Sequence, residues 1–377
     1  MSYSMLSIFP LKRKHTAKYL YIPPMGSDKI GIMTQLNSNY SINGEREYCN
    51  GIKQLKYYKT PLNTKVNFDL NLNENTIRKI NKDIKLNYIL TWILENFDIL
   101  KIQDSKDITQ WIQPRFVTHR GTLKSLLITP HEQYDGWIIC ASKFKDTIYL
   151  CSFDTEEKKQ KALAETDYQR LCSDWGYKFE QYMLTNTPDN ERNTSQCLNQ
   201  NEEFCCVFKS KFGEDILLYP AEIDGICSEQ IIEDTIVDKK CELIELKTIL
   251  TRFVSNDGPR NNFKKLVWWA QCYPVGIEKI VCGCKDTKGF VTEIKEVKTS
   301  TFHIKEVTDR SKSFCSGFLE QVKKIVQEDY DKCLYKFTHD PRKKTITVDK
   351  VTDNKSEYMF LYPWYIDNIK TKYENKK

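Results

Sequence analysis

Two short apolar segments constrain this chain more than any other part of it. They are Tyr219-Pro-Ala-Glu222-Ile-Asp224-Gly225 and Glu242-Leu-Ile-Glu245-Leu-Lys247. Successive side chains on a strand point to opposite faces. Glu222 and Asp224 are therefore expected to share one face, and Glu245 and Lys247 another, while Ile223 and Leu246 turn into the core. Laying the two strands side by side gathers three carboxylates and one ammonium. Carboxylates at such range repel strongly. A divalent cation removes that penalty, and hard oxygen ligands suit Mg²⁺ or Mn²⁺. Two ions can hold the attacking and leaving oxygens of an in-line phosphoryl displacement. A lysine alongside can orient or help deprotonate the water, or steady charge on the phosphate. Either pattern alone is common on the solvated face of a strand. Together, on adjacent apolar strands, they point to a restriction-nuclease-like core.

The surroundings read as one α+β domain over residues 1–377, built on mixed sheets flanked by helices. Residues 26–75 lack a long apolar period and are predicted irregular, with short strands. Residues 74–98 carry Ile89, Leu90, Trp92, Ile93 and Phe97 at helical spacing. The β-rich runs Gly136-Trp-Ile-Ile139 and Thr147-Ile-Tyr-Leu150 suggest a hairpin. Residues 155–186 read as helix and 187–200 as an exposed polar loop. Strands are expected at 204–209, 216–227, 241–249, 279–284 and 290–297, and helices at 262–273 and 311–329. No linker divides the chain. Residues 1–25 and 371–377 are expected to be flexible termini.

Bulk properties exclude several classes. No run of about 18 apolar residues exists, so no membrane span is expected. The N-terminus lacks the pattern of a signal peptide, which suggests an intracellular protein, and Lys12-Arg13-Lys14 reads as a solvated terminus before it reads as a nuclear address. The fourteen cysteines contain no Cys-x-x-Cys pair and the five histidines are scattered, so structural zinc is not expected. These thiols read as small buried hydrophobes. A net charge of +6 is compatible with a basic groove but does not establish one.

Four blocks then carry a resemblance: Phe116-Val-Thr-His-Arg120-Gly-Thr-Leu123, Gly176-Tyr-Lys-Phe-Glu180-Gln-Tyr182, the Glu222/Asp224 and Glu245/Lys247 segments, and Lys265-Leu-Val-Trp-Trp-Ala-Gln271. In this order and spacing they resemble the decapping exoribonuclease (DXO) family, which includes the partner of the nuclear 5′-to-3′ exoribonuclease. Weaker likeness runs from about Ile30 to Trp364. The resemblance implies that Glu180 joins Glu222, Asp224 and Glu245 as a metal ligand, with the backbone carbonyl of Leu246. It gives Lys247 and Gln271 a catalytic place facing the scissile phosphate, alongside Glu222 and Asp224, and it gives Arg120 contact with RNA phosphate or end groups. A guanidinium suits that task through paired hydrogen bonds. His119 departs from the tryptophan common in relatives, a change that bears on substrate preference more than on metal chemistry.

The resemblance further implies a hydrolase of RNA 5′ ends acting in mRNA quality control. Its expected substrates are triphosphate, incompletely capped and NAD-capped RNA, with 5′-to-3′ exonuclease activity besides. It implies a place in the nucleus, and in the cytoplasm as a second site, and a nuclear exoribonuclease as partner. The alternative is a non-catalytic binder of RNA ends or a stabiliser of an exonuclease. A DNA nuclease with a similar core is a third reading.

Overall fold

The computed structural model describes residues 18–374 apart from 21, 23–31, 72–75, 81–83, 103–108, 254–258, 303 and 354. The Lys12–Lys14 cluster and residues 375–377 lie outside the described residues. Two sheets organise the chain. In the ten-stranded sheet the order is Lys18–Leu20, Thr345–Val351, Leu334–Asp340, Trp137–Phe144, Thr147–Phe153, Phe116–Val117, Asp215–Glu222, Glu203–Phe212, Ile32–Ile42 and Tyr48–Asn50. Its neighbours are antiparallel except at Phe116–Val117, which runs parallel to both strands beside it. The seven-stranded sheet runs Lys65–Asp69, Phe290–Lys298, Lys279–Lys285, Glu242–Leu250, Gly225–Cys227, Tyr57–Tyr58 and Leu184–Thr185.

Alternation along the strands divides the core. Ile139, Ala141, Cys206 and Phe208 face the layer between the sheets, packed with Leu123 and Leu126 of helix Arg120–Ile128, Trp269 of helix Pro259–Cys272, and Phe318 of helix Lys305–Ile325. Their neighbours Ile138, Cys140, Cys205 and Val207 face the other side, under Ile89, Trp92 and Ile93 and under Tyr365 of the C-terminal helix. On the seven-stranded sheet, Ile244 and Leu246 meet Trp175, Phe179 and Met183 of helix Asp167–Met183. Each large side chain removed from water contributes about 1.5–3 kcal/mol. Both faces of the central strands are covered, which explains their nearly continuous apolar sequence.

Several expectations need correction. The stretch 26–75 contains an eleven-residue strand, Ile32–Ile42, paired with Glu203–Phe212. The helix expected at 74–98 is limited to Asn87–Glu95 and Phe97–Leu100 among the described residues. The 155–186 helix is two, Glu156–Leu163 and Asp167–Met183, and the second starts at a capping box of Thr166 and Gln169. The 311–329 helix spans Lys305–Ile325. Strands Leu334–Asp340 and Thr345–Val351 were not foreseen. At the ends expected to be loose, Lys18–Leu20 pairs with Thr345–Val351 and the last helix runs to Glu374. All fourteen cysteines are free thiols and most are buried. No described helix is long and apolar enough to cross a membrane.

Candidate active site

Glu222 and Asp224 do not share a strand, as their spacing suggested. Glu222 closes strand Asp215–Glu222 of the larger sheet, and Gly225–Cys227 belongs to the smaller one. Ile223 and Asp224 are the crossing between the sheets. Ile223 is buried between them, as expected, and anchors the crossing. The Glu222 strand is therefore not the neighbour of the Glu245 strand, Glu242–Leu250. That place is taken by Gly225–Cys227. The crossing still brings the acids together. Asp224 Oδ2 accepts a hydrogen bond from the Leu246 N–H at 2.6 Å. Glu222 and Asp224 line one cleft with Glu180, about 400 Å³ in volume.

Glu180 is delivered by the packing of its helix. Phe179 lies against Gly283, where an added Cβ would come within 2.6 Å of the ring. Glycine at 283 thus lets the helix seat closely on the sheet. Glu245 is 1% exposed. Its Oε1 accepts hydrogen bonds from Lys247 Nζ and Gln271 Nε2. Its Oε2 is buried without a hydrogen-bond partner and lies 3.8 Å from Arg120 Nη1. Arg120 donates to the Gln271 carbonyl at 3.1 Å and to the Glu222 carbonyl at 3.2 Å. Its guanidinium thereby clasps the larger sheet to the Gln271 helix, with Glu245 of the smaller sheet alongside.

The electrostatics follow from burial and crowding. Burial, then Asp224 and Glu222, hold the Glu180 carboxyl well above the usual range. Burial and Glu203 raise Glu222 against the pull of Lys79 and Arg120. Burial and Glu245 push Asp224 up to about 8. Burial opposes the Lys247 ammonium, but Glu245 and Asp224 outweigh it and raise its pKa, so Lys247 is a cation at neutral pH. Burial lowers His119 to about 4. Its buried Nε2 lacks a hydrogen-bond partner, so this residue is a neutral ring behind Arg120, within electrostatic reach of Glu203.

Sequence reasoning missed a fifth acid. Glu203 lines the same cleft and pairs with Lys79 at 2.6 Å and with Arg46. The only hint was an acid opening an otherwise apolar strand. The polar loop 187–200 also borders the cleft, through Asn190, Asn193 and Gln196. Among the described residues no three His, Cys, Asp or Glu side chains form a ready metal cage. Glu245 Oε1 is held by Lys247 and Gln271, and Asp224 Oδ2 by Leu246. The donor set nonetheless fits a hard cation: crowded carboxyl oxygens, one of them, at Glu245, buried and accepting no hydrogen bond.

Comparison with known proteins gives concordant results. The family model described as RAI1-like PD-(D/E)XK nuclease matches residues 35–366. The decapping and exoribonuclease protein of Bos taurus is 30% identical over 345 residues, covering 88% of this chain and 83% of its own length. The structure of Scheffersomyces stipitis Rai1, solved with (3′-NADP)⁺ and calcium, superposes with a TM-score of 0.77 at 19% identity, over 94% of this chain and 100% of that one. Candida albicans Rai1, solved with pU5-Mn²⁺, gives 0.77 at 18% identity over 95% and 100%.

Proposed function

This chain belongs to the RAI1-like PD-(D/E)XK nuclease family, and we propose that it is a divalent-metal-dependent hydrolase that removes end groups from RNA 5′ termini and degrades the exposed strand from that end. The observation that carries the reading is Glu245: a fully buried carboxylate with one oxygen that accepts no hydrogen bond, crowded by the acids of two sheets and one helix. Such an arrangement costs stability in a metal-free chain and is repaid when a cation binds.

Glu180, Glu222, Asp224 and Glu245, with the Leu246 carbonyl, are the proposed ligands of Mg²⁺ or Mn²⁺, two ions in the full site. Bound there, the metal supplies Lewis acidity toward the phosphoryl oxygens and lowers the pKa of water. The chain's own groups do the rest. Lys247, kept cationic by Glu245 and Asp224, offsets charge building on the phosphate. The Gln271 amide orients the Glu245 carboxylate. Arg120 fixes the Glu222 and Gln271 backbones relative to each other and so preserves their geometry during turnover.

The finer substrate reading covers incomplete caps, NAD caps and triphosphate ends. These share one requirement, a phosphorus brought to the acids. The names of the Bos taurus relative and the ligands of the two yeast structures support it. Likeness to that family also extends the proposal to a nuclear setting and a 5′-to-3′ exoribonuclease partner. The test is a panel of RNAs carrying 5′-monophosphate, triphosphate, unmethylated cap or NAD, incubated with Mn²⁺ or Mg²⁺ and resolved by end group. Release that stops with chelator and in Glu222→Gln upholds the reading. RNA-end binding without hydrolysis on any substrate overturns it.

A further inference from the structure

A second cavity of about 270 Å³ opens beneath helix Pro259–Cys272, on the same face of the smaller sheet as Glu245 and Lys247. Ile249 follows Lys247 by two residues, so it points the same way roughly 7 Å further along the strand. The strand register extends this face sideways: Lys247 lies beside Cys282, and Cys282 beside Lys295. Over it, Lys264, Trp268 and Gln271 stand four and then three residues apart, which puts them in one stripe of the helix. The stripe therefore leads from the Glu245 partner Gln271 to Lys264 over about 10 Å. The Lys264 ammonium lies 5.2 Å from the centre of the Trp268 ring. Among the described residues Lys264 makes no ion pair, while Lys295 leans on Glu293 at 3.4 Å.

We infer that this pocket, walled by Ile249, Trp268, Cys282 and Val297 and rimmed by Lys264 and Lys295, is a subsite for one nucleotide of single-stranded RNA flanking the phosphate at the acidic centre. The base enters the apolar interior and the phosphate meets the ammonium groups. The inference rests on the reading of that centre as the place where RNA is cut. Three features select this occupant. The volume falls below the roughly 300–1,000 Å³ of drug-sized sites, which suits a single base. Apolar walls accept the face of any base, giving binding without sequence preference. Cations at the rim match a phosphodiester in sign, and Lys264 shares its helix stripe with Gln271, the hydrogen-bond partner of Glu245.

The test is fluorescence anisotropy with 5′-phosphorylated oligouridylates of graded length, the full chain and chelator present to prevent cutting. Lys264→Ala is expected to weaken binding of the longer oligomers about tenfold and to lower the salt slope by about one. Lys264→Arg is expected to restore both. Val297→Trp fills the pocket without changing charge and is expected to weaken the same oligomers while leaving the salt slope intact. Circular dichroism establishes that each variant is folded. Wild-type affinity at every length in both folded variants overturns the inference. A loss confined to uridine 5′-monophosphate, with long RNA unaffected, also overturns it, because the pocket is then a free-nucleotide site. Wild-type turnover with Mn²⁺ on the same oligomers is run in parallel: its absence rejects the nuclease reading, whereas equal binding by active wild type and both variants rejects only the pocket.

Discussion

Replacing Asp224 by asparagine is expected to make the metal-free protein more stable at neutral pH. The folded chain holds the Asp224 proton until about pH 8, chiefly because the carboxyl is buried and faces Glu245, against an ordinary value of 3.8. Between those two values the folded state binds more protons than the unfolded one. Wild-type stability therefore falls as pH rises through this window and levels off above it. At about 1.36 kcal/mol per pH unit, the roughly three units up to pH 7 amount to about 4 kcal/mol. Relaxation and water entry reduce this, and about half is a sound expectation. Asparagine keeps an oxygen for the Leu246 N–H and is neutral in both the folded and the unfolded chain, so it removes the cost of taking up that proton. At about 2.1 cal/mol/K per residue over 377 residues, a gain of about 2 kcal/mol corresponds to a melting temperature higher by about 2–3 °C. Thermal denaturation in chelator from pH 5 to pH 8.5 measures it. The gap between variant and wild type should widen with pH up to about 8. Saturating Mn²⁺ should then reverse the order, since metal at a hundredfold above Kd adds about 2.7 kcal/mol to the wild type. A variant less stable in chelator at every pH, or a gap that ignores pH, would refute the reasoning.

Glu245→Gln should cut metal-dependent hydrolysis by at least about a hundredfold, with near-ultraviolet circular dichroism unchanged, because the buried anion that holds Lys247 and Gln271 is lost. Gly283→Ala should destabilise the fold by about 1–3 kcal/mol and lower turnover, since its methyl meets the Phe179 ring that seats Glu180; urea unfolding and steady-state kinetics report the two effects. His119, held near 4 by burial, should show no titration between pH 5.5 and pH 8 in its ring carbon NMR shifts. Lys79→Ala should weaken RNA-end affinity and raise the pKa of Glu222 further, because it removes a cation that acts on both Glu203 and Glu222; a binding–pH profile shifted toward higher pH checks it.

How much of this site could be read from the sequence depended on whether a residue's neighbours carried a pattern. Leu246 and Lys247 were legible because their strand is regular: Ile244 and Leu246 pack against helix Asp167–Met183 and Glu245 and Lys247 fall on the opposite face, as alternation requires. Glu222-Ile-Asp224 mimics the same pattern but arises from a different cause. Ile223 is buried because it sits between two sheets, not because it alternates on one. Local periodicity cannot distinguish the two, and so the two acid segments were assigned to neighbouring strands when a third strand lies between the sheets' shared acids. Glu180 has no local signal beyond Phe179, and family likeness alone singled it out. Glu203, Lys79 and Arg46 were out of reach because their pairing joins positions more than a hundred residues apart. The two missed strands at 334–351 are a different case: they form a local hairpin with each other, and only the first also joins Trp137–Phe144. The same logic bears on Arg120. The sequence offers a cation and the family offers a phosphate, but the fold has already committed its guanidinium to two backbone carbonyls. Those two bonds use two of its five N–H donors and fix the junction between the larger sheet and the Gln271 helix, so Arg120→Lys, which keeps the charge and loses the fork, should lower kcat more than it raises KM. A rise in KM alone would instead make Arg120 a simple phosphate ligand.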